Sequence, residues 1–261
     1  MKKVFKTIGI LTTMAILLCQ PSGIKAAATL STTEKAIQDS ITFTRKSSTK
    51  VKNKQKKIIG IDPGHQEHGN SGLEPIGPGA KTKKPKVAGG TRGTATSLPE
   101  YKLNLMVAKA LKKELKKRGY DVVMTRTTNK VNITNKERAI KINKSKADIC
   151  IRLHADGGSP AARGASGLYP STRNPYVSKL SKKSKRLSDI ILKSYCKATG
   201  IKNRGSIRRD DLTGTNWSKV PVIVLEMGFM TNRTEDCYMA SKKGQKAMVT
   251  GIANGIDKYY K

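Results

Sequence analysis

The sequence predicts a single α/β domain over residues 57–261, built as a mostly parallel, twisted sheet with helices on both faces. Three observations predict it. Short apolar runs alternate with amphipathic helical segments, the pattern of parallel strands joined by crossover helices. The run Val220-Pro221-Val222-Ile223-Val224-Leu225 is apolar at every position, as a strand covered on both faces must be. Residues 57–261 are also numerous enough for one sizeable core, and the chain carries no internal repeat.

Each element follows from its local pattern. Lys57 to Asp62 reads as a strand that stops at Pro63-Gly64. Tyr101 to Arg118 reads as a helix, because Leu103, Val107, Ala110, Leu111 and Leu115 recur at helical spacing. Gly119, tolerant of positive φ, ends it. Asp121 to Thr125 is the next strand, Asn135 to Lys146 a helix, Ile149 to His154 a strand and Gly167 to Pro170 a short strand. Asn174 to Thr199 reads as one long helix with Leu180, Leu187, Ile191 and Tyr195 on a face. Val220 to Met227 is the buried strand, and Gly244 to Tyr260 a closing helix. Gly69 to Leu98, rich in Gly, Pro and Lys, is expected to be a long loop.

Residues 1–28 read as a signal peptide. Lys2, Lys3 and Lys6 form a positive start, Ile8 to Leu18 an apolar stretch too short to span a bilayer comfortably, and Ala26-Ala27-Ala28 a small-residue cleavage site. Residues 29–56 read as a basic Ser/Thr/Lys-rich linker with too little apolar content for a core, although a short helix near Thr33 to Ile41 fits. The mature protein is then expected to be secreted or wall-associated, with no stable membrane span. Beyond Cys19, the three cysteines Cys150, Cys196 and Cys237 show no CxxC spacing, which argues against both a disulfide framework and a cysteine zinc site. A bridge between Cys196 and Cys237 is left open.

The charge is extreme, with 52 Lys and Arg against 18 Asp and Glu, net +34. Residues 57–261 keep 41 of the basic and 16 of the acidic side chains, so signal and linker do not account for it. Such a field attracts polyanions. The lysines lie along helices without interleaved aromatics, so base-stacking platforms are missing and nucleic acid is not expected. For an exported protein, the anionic polymers of a cell wall or the outer membrane leaflet are the nearer partners, and a generally basic surface with no dedicated partner is the alternative.

Three histidines stand out: His65, His68 and His154. His65 and His154 each follow an apolar strand, and in a parallel sheet ligands sit beyond the carboxyl ends of the strands. Two imidazoles at one sheet edge point to a shared metal. His68 reads as a loop residue. A catalytic zinc commonly takes three protein ligands, so a carboxylate is needed. Glu67, Glu74 and Glu100 are the candidates, and Glu100 is favoured because it opens the amphipathic helix, a rigid mount. Glu226 follows the buried strand, where a carboxylate needs a partner. It reads as a general base facing a metal-bound water, or else as an ion-pair partner of Arg126 or Arg138.

These segments together resemble the zinc-dependent N-acetylmuramoyl-L-alanine amidases of the amidase type 3 family, which hydrolyse peptidoglycan. The resemblance is carried by Ile58-Ile59-Gly60-Ile61-Asp62-Pro63-Gly64-His65, Glu100-Tyr101-Lys102-Leu103-Asn104-Leu105, Met124-Thr125-Arg126, Arg138 with Asn143, Leu153-His154-Ala155-Asp156, and Leu225-Glu226-Met227-Gly228-Phe229. It implies zinc on His65, Glu100 and His154, catalysis by Glu226, and peptidoglycan as substrate. A different secreted zinc peptidase of the wall, or a non-catalytic basic module, are the alternatives.

Overall fold

The computed structural model describes residues 56–261. The expected signal peptide, the linker up to residue 55 and the short helix near Thr33 to Ile41 lie outside the described residues.

Strands β1 (Ile58–Pro63), β4 (Asp121–Met124), β5 (Ile149–Asp156), β6 (Ala165–Tyr169), β7 (Asn203–Arg208) and β8 (Val222–Phe229) form one sheet in the order β4-β1-β5-β8-β6-β7. The first four run parallel, β6 lies antiparallel to β8, and β7 runs parallel to β6. A second, two-stranded sheet pairs β2 (Asn70–Pro75) with β3 (Lys83–Val87). The helices are α1 (Glu100–Lys117), α2 (Asn135–Lys144), α3 (Ser181–Thr199), the short α4 (Thr213–Asn216), α5 (Arg233–Ala240) and α6 (Lys242–Tyr260).

The two-residue period of the strands sorts their side chains between two faces. Ile59 and Ile61, Ile149, Ile151 and Leu153, and Ile223, Leu225 and Met227 enter the large core, together with Leu103, Val107, Leu111 and Leu115 of α1, Leu187, Ile191 and Tyr195 of α3, and Ile252 and Ile256 of α6. Burying each aliphatic side chain contributes about 1.5–3 kcal/mol. The alternate residues face α2: Cys150 and Val222 form a smaller cluster with Ile142 and Ala147. Asp62, Arg152, His154 and Glu226 follow the same alternation, so the strands present their chemistry on the face away from the large core.

Local signals explain the element ends. Thr134 and Glu137 close a capping box at α2, in which the Thr134 hydroxyl accepts from the Glu137 amide at 3.1 Å and the Glu137 carboxylate accepts from the Thr134 amide at 2.8 Å. Gly119 follows α1 with φ 87, as its position in the sequence implies. Among the described residues no helix is long and apolar enough to cross a membrane, and Cys150, Cys196 and Cys237 are free thiols.

Several elements differ from the sequence expectation. The Gly69–Leu98 segment is not a plain loop, since it contains the β2–β3 hairpin. Its exposed residues are Ser71, Gly72, Leu73, Lys83 and Pro85, which give no alternating apolar signal. The long helix begins at Ser181 rather than Asn174, because the Asn174 carboxamide accepts the Tyr176 and Val177 amides in a turn that a short 3-10 segment then continues. Strand β7, helix α4 and helix α5 were not expected. β7 is an edge strand of polar composition (Asn-Arg-Gly-Ser-Ile-Arg), and α4 and α5 are too short for a periodicity to develop.

Candidate metal centre

At the end of β1 the chain turns sharply through Pro63-Gly64-His65, and two buried guanidiniums hold that turn. Arg126 donates to the carbonyls of Pro63 (3.0 Å), Gly64 (3.0 Å) and Tyr101 (2.8 Å). Arg138 donates to the carbonyls of Pro63 (2.8 Å) and His65 (2.9 Å). Asp62, itself buried, accepts from Arg138 at 3.0 Å, from Arg152 at 2.8 Å and from the Thr125 hydroxyl. Burial alone would raise the Asp62 pKa, but Arg152 and Arg138 outweigh it and hold the carboxyl far below the ordinary range. Burial and the neighbouring Arg138 charge bring Arg126 down to about 10.

This clamp forces His65 into the left-handed region at φ 57. Its Nδ1 lies 2.8 Å from the Ala88 carbonyl, which can only accept. The proton therefore sits on Nδ1, and Nε2 offers its lone pair. Ala88 belongs to the segment that follows β3, so the unexpected hairpin orients a candidate ligand.

Glu100 opens α1 and is buried. The Thr91 amide donates to its Oε2 at 2.9 Å, while the Ala155 amide and the Asn104 carboxamide each donate to Oε1 at 3.1 Å. Burial pushes its pKa up, yet hydrogen bonds and charge from His154 and His65 leave it well below the usual carboxylate value. His154 sits on β5, with its ring against Gly64. A Cβ at position 64 would lie 2.3 Å from two of the ring atoms, so only glycine fits. Gly64→Ala is therefore expected to displace His154 and lower metal affinity by more than tenfold, measurable by competition with a chelating dye, as supporting contacts of metal ligands typically do.

The three side chains converge. His65 Nε2 lies 3.2 Å from Glu100 Oε1, His154 Nδ1 lies 3.2 Å from the same oxygen, and the two ring nitrogens are 3.1 Å apart. Tetrahedral coordination with bonds of about 2.0–2.1 Å places ligand atoms about 3.3 Å apart, so the triangle fits one face of such a tetrahedron. Glu100 is anionic, and burial lowers the His154 pKa. For His65, burial lowers the pKa, but the hydrogen bond and charge of Glu100 outweigh it and leave it raised. Among the described residues, these are the only His, Cys, Asp and Glu side chains grouped closely enough to hold a metal. His68 and Glu67 are not in the group. Glu74 is buried elsewhere, accepting the Lys136 amide at 3.1 Å between the hairpin and α2.

Glu226 is the register partner of His154 on the neighbouring strand β8. Both line a cavity of about 180 Å³ together with His65, Arg152, Leu168 and Gly214. Glu226 makes no ion pair among the described residues, and the alternative partners are engaged elsewhere, Arg126 with carbonyls and Arg138 with carbonyls and Asp62. Burial first, then the charges of Glu100 and Asp156, push its carboxyl pKa well above the ordinary value, against a lowering pull from Arg209.

A family model described as N-acetylmuramoyl-L-alanine amidase matches residues 59–258. The chain belongs to this amidase family. It is 25% identical over 209 residues to an N-acetylmuramoyl-L-alanine amidase of Mycobacterium tuberculosis, covering 76% of this chain and 84% of that one. It is 27% identical over 161 residues to the Bacillus subtilis protein YqiI, with 62% of this chain and 74% of that one aligned. Among solved structures, the apo N-acetylmuramyl-L-alanine amidase of Mycobacterium abscessus matches with a TM-score of 0.72 at 25% identity, over 78% of this chain and 99% of that chain.

In this amidase, sequence reasoning brought forward His65, His154 and Glu226 at the cavity and Glu100 against the two imidazoles, but not what holds them. Asp62, Arg126, Arg138, Arg152 and Asn104 were missed as a supporting network. A signal was present: Asp62 and Arg152 each interrupt an apolar strand, and buried charges need partners. The contributions of Ala88 and Thr91 are through backbone atoms, which no residue type announces.

Proposed function

We propose that this chain hydrolyses the amide bond between the lactyl group of N-acetylmuramic acid and the L-alanine of the peptidoglycan stem peptide. His65, Glu100 and His154 hold a zinc ion, and Glu226 is the general base. The observation that carries the reading is the triangle of ligand atoms 3.1–3.2 Å apart beside a carboxylate of raised pKa.

Zinc bound there would polarise the scissile carbonyl and bring the pKa of its water to about 7. The chain's own residues do the rest. The Ala88 carbonyl keeps the proton of His65 on Nδ1 and so leaves Nε2 free to bind. The Thr91, Asn104 and Ala155 donors fix the Glu100 carboxylate in one rotamer. Glu226, one strand from His154, takes a proton from the attacking water and returns it to the departing L-alanine nitrogen. The products are a glycan strand with a free lactyl carboxylate and a stem peptide with a free amino terminus.

Purified walls digested with the protein test the bond. Mass spectrometry is expected to find muramic acid with a free lactyl carboxylate, whereas cleavage within the stem peptide, leaving L-alanine attached to the lactyl group, would mark a wall peptidase instead. His154→Ala is expected to lose bound zinc together with activity, read by metal analysis of the purified variant. Unchanged zinc content would remove His154 from the ligand set. The protein acts outside the cell after loss of residues 1–28, with residues 29–56 and the basic surface retaining it on anionic wall polymers.

A further inference from the structure

On the sheet face away from His154 and Glu226, α3 and α6 pack closely. A Cβ on Gly251 would lie 2.7 Å from the Tyr195 Cα, so the two backbones meet at that glycine. Beside the crossing runs an open groove of about 560 Å³ lined by Lys197 of α3 and by Lys243, Lys246 and Lys258 of α6. The α6 lysines recur at helical spacing on one side of the helix, along about 22 Å at ~1.5 Å rise per residue. All four are exposed, none has an ion-pair partner among the described residues, and no carboxylate lines the groove. Asp257, adjacent to Lys258, already accepts from Arg118 and Tyr120.

Lysine rows read negative charge spaced along a chain. The absence of any aromatic side chain from the lining removes the stacking surface that bases would need.

We propose that the groove between α3 and α6 binds a base-free phosphodiester polymer, a chain of polyol phosphates, with the four lysines neutralising successive phosphates. Binding there is separate from hydrolysis, because the groove shares no residue with the metal centre. It names a place on the basic surface for the wall polymers proposed above.

The test titrates the full chain with poly(glycerol phosphate) of defined length across a salt series. Two variants are compared: a groove variant with Lys197, Lys243, Lys246 and Lys258 each changed to Gln, and a control with Lys109, Lys113, Lys116 and Lys117 of α1 each changed to Gln. The groove variant is expected to bind more than thirtyfold more weakly with a salt slope smaller by about 3, at roughly 0.7 per phosphate contact. The control, of equal net charge, should stay within about threefold. Equal losses in both lysine variants would make the attraction diffuse and overturn the groove. Tighter binding of oligothymidylate with the same number of phosphates would overturn the base-free ligand class.

Discussion

Glu226→Gln is expected to lower kcat/KM by about 10²–10⁴-fold while zinc content stays at that of the wild type. Glutamine has nearly the same shape as glutamate, so it keeps the register position opposite His154 and the packing of β8. It cannot accept a proton. The two readouts separate a base from a ligand: loss of a ligand would empty the site, and loss of the base would leave it filled but slow. The assay is release of free L-alanine amino termini from purified walls, with zinc determined on the same preparation. Turnover within a few-fold of the wild type would remove Glu226 from the reaction. If zinc and activity fell together, Glu226 would be holding the metal.

Asp62→Asn is expected to destabilise the domain by about 3–5 kcal/mol, as removal of one partner from a buried ion pair does. The loss would be read as a lower urea midpoint without a changed slope. Arg138 and Arg152 would both lose their buried counter-charge, and Arg138 also holds the Pro63 and His65 carbonyls. The loosened turn should therefore weaken metal binding as well as stability. The pH dependence follows from the depressed pKa of Asp62. An unfolded aspartate titrates near about 3.9. Because the folded carboxyl titrates lower, the unfolded chain binds more protons in the interval between. Its contribution is therefore complete above the unfolded value and is lost as pH falls through the interval towards the folded one. In Asp62→Asn this part of the acid destabilisation should vanish. Equal stability of the two proteins at neutral pH would sink the account of the turn.

The alternation of apolar strands and amphipathic helices made the parallel part of the sheet and α1, α2 and α6 readable in advance, because burial periodicity is a property of residue types taken in order. Glu100, His65, His154 and Glu226 were readable for a related reason. Titratable side chains placed where an apolar segment ends are seldom accidental when ligands bind at the carboxyl edge of a parallel sheet. The hairpin β2–β3 escaped because its exposed residues, Ser71, Gly72, Leu73, Lys83 and Pro85, carry no alternating apolar signal, and what it contributes to His65 is a carbonyl.

Order and residue type in the chain were thus sufficient to choose the fold class and to select Glu100 and the three side chains, His65, His154 and Glu226, that line the cavity. Only the tertiary structure decided that β1 and β5 lie side by side in a register that brings two imidazole nitrogens and a carboxylate oxygen within 3.2 Å, and that Glu226 stands opposite His154. It also decided that Asp62, Arg126, Arg138 and a glycine without room for a Cβ hold the turn between them. The physical reason is that a periodicity specifies which face of an element is buried, whereas distances of a few ångströms between remote segments depend on strand register and on backbone hydrogen bonds that every residue type can make.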